Sequence, residues 1–439
     1  MTRSEANATL ALAAGQTALL DKQTNNSARR APDLGDTPRP PLKGRMIRNP
    51  RQIALDEGLR VWAEIDLDQL SGNVQALRKQ AGDARLLVVV KANAYGHGAV
   101  QTARAAVEAS AWGLGVASLE EGEELRRAGI TAPVLVLSSS AAAQAARLVQ
   151  SDLRVTIGTL ELGAALSLAA TKLNREALVH VKVETGMNRY GVPPEEAEAL
   201  ALALRELPGV TVEGISTHLA SSDEPDKTFT RGQYQRFLDC ARRLDWIPIH
   251  HVSNTGALLD LPELRLGMVR CGIGVYGYYP SRAVRRDVAL QPVLALRSRV
   301  ARVATLEPGE GVGYGLDWRA SRRSRVALVL AGYGDGIRRA LSNRGSALVR
   351  GCRVPYAGRV AMDMLMLDVT DVPGVVLDDE VTLLGRQGAE CIDADEMAAQ
   401  CDTISYEVIC GLMERVPRLY TRGGKIVARH DLAGLRETP

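Results

Sequence analysis

Lys91 stands directly behind five apolar residues, Leu86 to Val90, and ahead of Asn93, Tyr95, Gly96, His97 and Gly98. A β-branched run without alternation reads as a strand covered on both faces. The lysine at its end has two readings. It marks the strand's exit into water, since Lys is seldom fully buried, or it is an amine held on a rigid tip and able to form a Schiff base. Other apolar runs end in groups of equal chemical use: Glu184 to Arg189 (ETGMNR), Thr217-His218, Ser253-Asn254-Thr255, and Arg270 followed by Gly272, Ile273 and Gly274. Taken singly, each is an ordinary loop residue. Together they set cations, hydroxyls and glycines that admit close backbone approach beside an amine, a donor set suited to an anionic group.

The elements that must position these groups repeat along the chain. Apolar runs fall at 86–90, 112–118, 133–138, 154–157, 177–184, 210–217, 249–253 and 268–275. Between most of them lie Ala-, Leu-, Glu- and Arg-rich segments at helical spacing, such as 195–205 and 234–244. Eight strands alternating with helices describe an α/β chain folded as a (β/α)8 barrel. A doubly wound sheet is the competing arrangement, but no GxGxxG follows the first run. Barrel enzymes carry their sites at the C-terminal strand ends, often with phosphate near the last strands. The polar groups above share that address. A lysine amine, phosphate-directed donors and an arginine in one barrel mouth point to pyridoxal 5'-phosphate, whose ring serves as electron sink for a carbanion.

From about residue 290 the pattern changes to strand-like segments with Gly-rich turns, VLALRSRVARVATL and SRVALVLAGYG among them, and helix-like sequence returns only near 396–413. Three segments are therefore expected: a polar, Pro-rich extension over 1–55 that is disordered, a cofactor-binding barrel over 56–290, and a mostly-β C-terminal domain over 291–439.

Bulk properties narrow the function. Lys and Arg total 54 against 51 Asp and Glu, with no basic block, which argues against nucleic acid as a partner. No apolar run approaches bilayer-spanning length, so no membrane partner is expected. The six cysteines form no CxxC pair and read as reduced thiols of a cytoplasmic protein, neither a disulfide framework nor a metal site. The weakly apolar stretch Ala8 to Leu20 is interrupted by Gln16, preceded by Glu5 and followed by Asp21, so it makes a poor secretion signal.

From Val61 to about Leu419 the sequence resembles the alanine racemases, pyridoxal phosphate enzymes of fold type III. The resemblance rests on VVVKANAYGHG around Lys91, VETGMNRYG around Arg189, THLASSDE around His218, HVSNTGA around Asn254 and MVRCGIGVYG around Arg270. It continues with VGYG around Tyr314, GYGDG at 332–336, LSNRG at 341–345, GRVAMD around Met362 and TISYEV around Tyr406, all in order. It implies that Lys91 carries the cofactor and serves one face of the substrate α-carbon, while Tyr314 is the base on the opposite face. A phenol, with a reference pKa of about 10, needs nearby positive charge for that task; read without the family, Tyr314 is a packed turn aromatic. Arg270 would face the pyridine nitrogen and, having no proton to surrender, would leave it unprotonated and the carbanion short-lived. His251 would support Arg270, His218 would lie near the ring, and Asn254 would stand by the cofactor.

Tyr95, Thr255, Gly272, Ile273 and Tyr406 would hold the phosphate. Arg189 would contact the cofactor's phenolic oxygen and the substrate carboxylate, with help from Tyr333 and the backbone of Met362. Lys182 matches a lysine that some members carry as a carbamate; equally, it reads as an ordinary barrel lysine. Tyr314, Tyr333 and Met362 reach the other subunit in this family, so a homodimer with shared sites is implied, acting on alanine and supplying its D-isomer for peptidoglycan. The alternatives are a broader or serine-directed racemase, a decarboxylase of the same fold, which Arg270 disfavours, and a non-catalytic cofactor carrier.

Overall fold

The computed structural model describes residues 58–437, so the expectation of a disordered extension over 1–55 lies outside the described residues. The first strand, β1 (Val61–Asp66), is followed by a helix, Leu67–Ala81, which Asp66 caps by accepting from the N–H groups of Asp68 and Gln69 at 3.0 Å. Then come eight short strands: β2 (Arg85–Val89), β3 (Gly113–Val116), β4 (Val134–Val136), β5 (Arg154–Ile157), β6 (Ala177–Lys182), β7 (Val210–Ser216), β8 (Ile249–His251) and β9 (Met268–Cys271). They coincide with the eight apolar runs.

All eight are parallel, in the order β8-β7-β6-β5-β4-β3-β2-β9. The remaining gap between β8 and β9 is crossed by two backbone hydrogen bonds, Gly267 N–H to His250 O at 3.0 Å and Arg270 N–H to Ser253 O at 2.9 Å. The result is a nearly closed barrel, as the alternation predicts. Residues such as Val88, Val155, Val179 and Ile215 are buried beneath the surrounding helices. A separate apolar plug of Leu87, Leu135, Ile249 and Met268, with Trp112 against it, lies apart from that main core.

The second sheet is organised by β10 (Leu294–Leu306). β10 pairs antiparallel with β1, with Val61 opposite Ser298, and β1 in turn pairs parallel with the strand Arg418–Arg422. Strand β1 thus precedes the barrel in sequence but hydrogen-bonds into the C-terminal sheet. That stitches the chain's two ends together, and Trp62 and Leu419 are both buried at the seam. Short loops on this sheet, 313–316, 332–336 and 358–364, carry Tyr314, Tyr333 and Met362. Among the described residues no helix is long and apolar enough to cross a membrane.

Candidate active site

The strand-tip lysine sits on an unusual support. Directly after Lys91 the backbone winds left-handed, with φ of +53°, +52°, +52° and +52° at Ala92, Asn93, Ala94 and Tyr95. Each such L-residue costs about 1–2 kcal/mol, so the surroundings must impose the turn. Glu121 accepts from the N–H of Ala92 at 2.7 Å, Asn93 Oδ1 accepts from Ala99 N–H at 2.8 Å, and Arg418 of the second domain donates to Gly96 O at 2.9 Å. A backbone so over-determined aims one amine with little freedom. Burial, and then the charge of Arg189, lower the pKa of that amine, which favours its neutral, nucleophilic form.

Lys91 opens onto a cavity of about 760 Å³ at the C-terminal strand ends. Tyr95, Thr255, Gly272, Ile273 and Tyr406 line it as one cluster. Thr255 Oγ1 accepts from Gly272 N–H at 3.2 Å, and the rings of Tyr95 and Tyr406 are 6.1 Å apart. A Cβ on Gly272 would overlap the Tyr95 hydroxyl, so only glycine lets the backbone come this close. Burial pushes both phenols well above their usual range, which keeps them neutral donors. Three hydroxyls around a bare backbone fit a phosphate.

Arg270, from β9, occupies another wall. Its Nη1 donates to Nδ1 of His251 at 2.7 Å and to the carbonyl of the same residue at 3.0 Å. Its Nη2 donates to Thr217 O at 2.8 Å, Val252 O at 2.9 Å and His218 Nδ1 at 3.2 Å. With both terminal nitrogens engaged, Nε–H is the donor left for an acceptor in the cavity, such as a pyridine nitrogen. Burial lowers the guanidinium to about 10, which still leaves it charged at neutral pH. Burial and then Arg270's charge hold His218 and His251 well below the ordinary imidazole range, so both are neutral.

Arg189 and Lys182 complete the polar lining. The loop bearing Arg189 is tied down by Glu184, whose carboxylate accepts from the N–H groups of Gly186 at 2.7 Å, Met187 at 2.6 Å and Arg189 at 3.1 Å. Burial opposes the charge on Glu184, but these backbone donors win and lower its pKa. Asn254 lines the cavity too, and its Oδ1 accepts from Ala257 N–H at 3.0 Å and Ser222 Oγ–H at 2.8 Å, capping the helix Thr255–Asp260.

Comparison with known proteins agrees with this arrangement. Residues 65–280 match the N-terminal domain of alanine racemase and residues 293–420 match its C-terminal domain. The chain belongs to the alanine racemase family. It is 44% identical over 84% of its length to the alanine racemase of Desulfosudis oleivorans, covering 98% of that protein. With the enzyme of Symbiobacterium thermophilum the identity is 46% over 83% of this chain, again covering 98% of the relative. Among solved structures, alanine racemase from Clostridium difficile 630 superposes with a TM-score of 0.82 at 35% identity, over 85% of this chain and 98% of that one. The Bacillus anthracis alanine racemase with bound L-Ala-P gives a TM-score of 0.80 at 35% identity with the same coverage. Membership in the alanine racemase family makes the protein an isomerase.

Three residues that the family resemblance singles out stand apart from the cavity of this chain. Tyr314, Tyr333 and Met362 are 73%, 41% and 53% exposed, and none lines the barrel mouth. The loops of the latter two are joined, since Tyr333 N–H donates to Ala361 O at 3.0 Å and Gly334 N–H to Met362 O at 2.8 Å.

The sequence reading also passed over groups that the fold places at or near the alanine racemase cavity. Tyr190 lines it beside Arg189, Ser138 and Asp223 face it from loops, and Cys410 faces it from the end of the helix Ser405–Cys410, approaches that no local pattern announces. His180 was within reach: it stands two residues before Lys182, and strand alternation puts both on one face.

Proposed function

We propose that the protein interconverts L- and D-alanine, using pyridoxal 5'-phosphate in the barrel mouth and one proton-transfer group on each face of the substrate α-carbon. The observation that carries this reading is the cavity, which joins an amine of lowered basicity, a phosphate-fitting cluster and an arginine with one N–H to offer. When bound, pyridoxal phosphate supplies the electron withdrawal that makes the α-proton removable. Tyr95, Thr255, Gly272, Ile273 and Tyr406 would hold its phosphate, Lys91 would carry it, and Arg270 would offer its ring nitrogen an N–H that it does not give up. Arg189 pairs with the substrate carboxylate. The amine of Lys91 would move a proton on one face of the α-carbon, and the Tyr314 hydroxyl would move one on the other.

Tyr314, Tyr333 and Met362 come from a partner copy in this reading. Their exposure supports it, as do the neighbouring exposed side chains of Leu316 and Met364, which together offer an apolar face to a second chain. The bound L-Ala-P of the Bacillus anthracis relative supports an alanine-sized ligand. A cytoplasmic role in making D-alanine for peptidoglycan accords with six free cysteine thiols.

The test is proton NMR in deuterated water with pyridoxal phosphate and, in turn, L-alanine, L-serine and L-lysine, followed by chiral separation. Loss of the α-proton signal with growth of D-alanine is expected first and fastest for alanine. A persistent α-proton for every amino acid, despite bound cofactor, would leave the carrier reading standing in its place.

A further inference from the structure

Behind Arg270, a file of side chains crosses the barrel lumen. Nδ1 of His251 receives Arg270 Nη1 at 2.7 Å; Nε2 of His251 lies 2.9 Å from Nδ1 of His180; Nε2 of His180 lies 2.9 Å from a carboxylate oxygen of Glu213. Glu213 is paired in turn with Arg154, whose Nε reaches it at 2.7 Å and Nη2 at 3.2 Å, and the Arg154 guanidinium rests 5.6 Å from the Trp112 ring. His180 and His251 are buried. Room for the first imidazole comes from Gly214, because a Cβ there would overlap His180 Nδ1, and the β6–β7 register passes from Val179 opposite Val212 to His180 opposite Gly214, which leaves Glu213 as the extra, bulged residue of β7.

The two ends of the file admit one arrangement of protons. A guanidinium only donates and a carboxylate only accepts. Facing Arg270, His251 Nδ1 must be bare, so its proton sits on Nε2 and is donated to His180. His180 Nδ1 is then bare as well, and its proton sits on Nε2, facing Glu213. Reversing both rings would set donor against donor at Arg270 and acceptor against acceptor at Glu213, and reversing one alone would make one of those clashes and a second between the two imidazoles. A doubly protonated ring at either position would still force an N–H toward the arginine.

We propose that Glu213 and His180 are positioning residues for Arg270: they fix the proton of His251 on the side away from the arginine, so that Arg270 is held in place as a charged donor toward the cofactor's ring nitrogen. Burial lowers the pKa of His180 and carries that of His251 well down, in keeping with two neutral rings. Burial works against the Glu213 charge, but the hydrogen bonds from His180 and Arg154 hold its carboxyl down at about 2, so the acceptor end stays ionised. The role assigned to Arg270 rests on the cofactor reading above; the proton pattern itself does not.

The experiment is long-range 1H–15N NMR of histidine-labelled protein, in which the six imidazoles are assigned by single His→Gln variants, with and without pyridoxal phosphate. In the wild type, His180 and His251 should each carry one proton, on Nε2, with Nδ1 bare. An Nδ1–H or a doubly protonated ring at either residue overturns the proposal. Glu213→Leu leaves the His180 Nε2–H without its acceptor, so an Nδ1–H population should appear on His251. Glu213→Gln, which keeps an acceptor oxygen, should return the single tautomer. Racemisation kcat should fall in Glu213→Leu by about tenfold or more, for the factor that 1.4 kcal/mol represents, while KM for alanine moves far less.

An unchanged His251 pattern in Glu213→Leu removes Glu213 from the role. Should that variant not fold, the wild-type pattern and its persistence in Glu213→Gln decide the matter. Because the tautomers are read on protein without cofactor as well, failure of the cofactor reading would leave the proton pattern standing and is told apart from failure of the file.

Discussion

Lys182 holds its ammonium 5.4 Å from the ring centroid of Tyr190, inside the barrel, and donates to Val183 O at 3.0 Å. Among the described residues it forms no ion pair, and burial followed by the charge of Arg270 brings its pKa down to about 8. A neutral fraction near physiological pH can add carbon dioxide, forming an N–C bond and releasing a proton. The new anion would lie among Arg189 and Arg270. Protein equilibrated with 13C-bicarbonate is expected to show a carbamate carbon that Lys182→Ala lacks. In that variant KM for alanine should rise by about tenfold, the equivalent of one charged hydrogen bond. No carbamate signal together with an unmoved KM would make Lys182 an ordinary barrel lysine.

The proposal that two copies share each site predicts complementation. Lys91→Ala and Tyr314→Phe should each be inactive alone. After mixed refolding, half of the dimers pair one variant with the other, and each such dimer regains one intact site, so activity should recover to about a quarter of wild type. If Tyr314 served its own chain's cavity, the mixture would stay inactive.

Acid should weaken the fold well before carboxylates titrate. Burial keeps His97, His180, His218 and His251 below the ordinary imidazole value, and His97 is held at about 4. The unfolded chain binds these protons near pH 6.5 and the folded chain does not. Stability is therefore complete above that value and declines as pH falls toward the folded values, by about 1.4 kcal/mol per pH unit for each histidine that titrates fully. Urea midpoints at about pH 7.5 and about pH 5.5 check this, and a midpoint that holds steady or rises on acidification contradicts it.

Much of the architecture was open to reading from the chain. The eight apolar runs became the eight parallel strands because residues covered on both faces leave a continuous hydrophobic trace. The barrel in turn dictates that Lys91, Arg189, His218, Asn254 and Arg270, each at a run's C-terminal end, face one cavity. Strand β1 shows the limit of such patterns. Val61–Asp66 alternates plausibly, but alternation tells which side chains face inward and says nothing of the neighbour, and the neighbours are β10 and a strand more than 350 residues away.

What the sequence determined by itself, then, was the order of elements, the address of the polar groups and the family, because these follow from local periodicity and from motifs written contiguously. Tertiary structure alone decided how the groups act on one another. It wound Ala92 to Tyr95 left-handed against their own preference, since Glu121 and Arg418 arrive from distant segments to hold that turn. It joined Arg270, His251, His180 and Glu213 from four strands into one directed file. It also set Tyr314 on an exposed loop outside its own chain's cavity. Hydrogen-bond direction and burial depend on which atoms meet in space, and residues far apart along a chain meet only once it has folded.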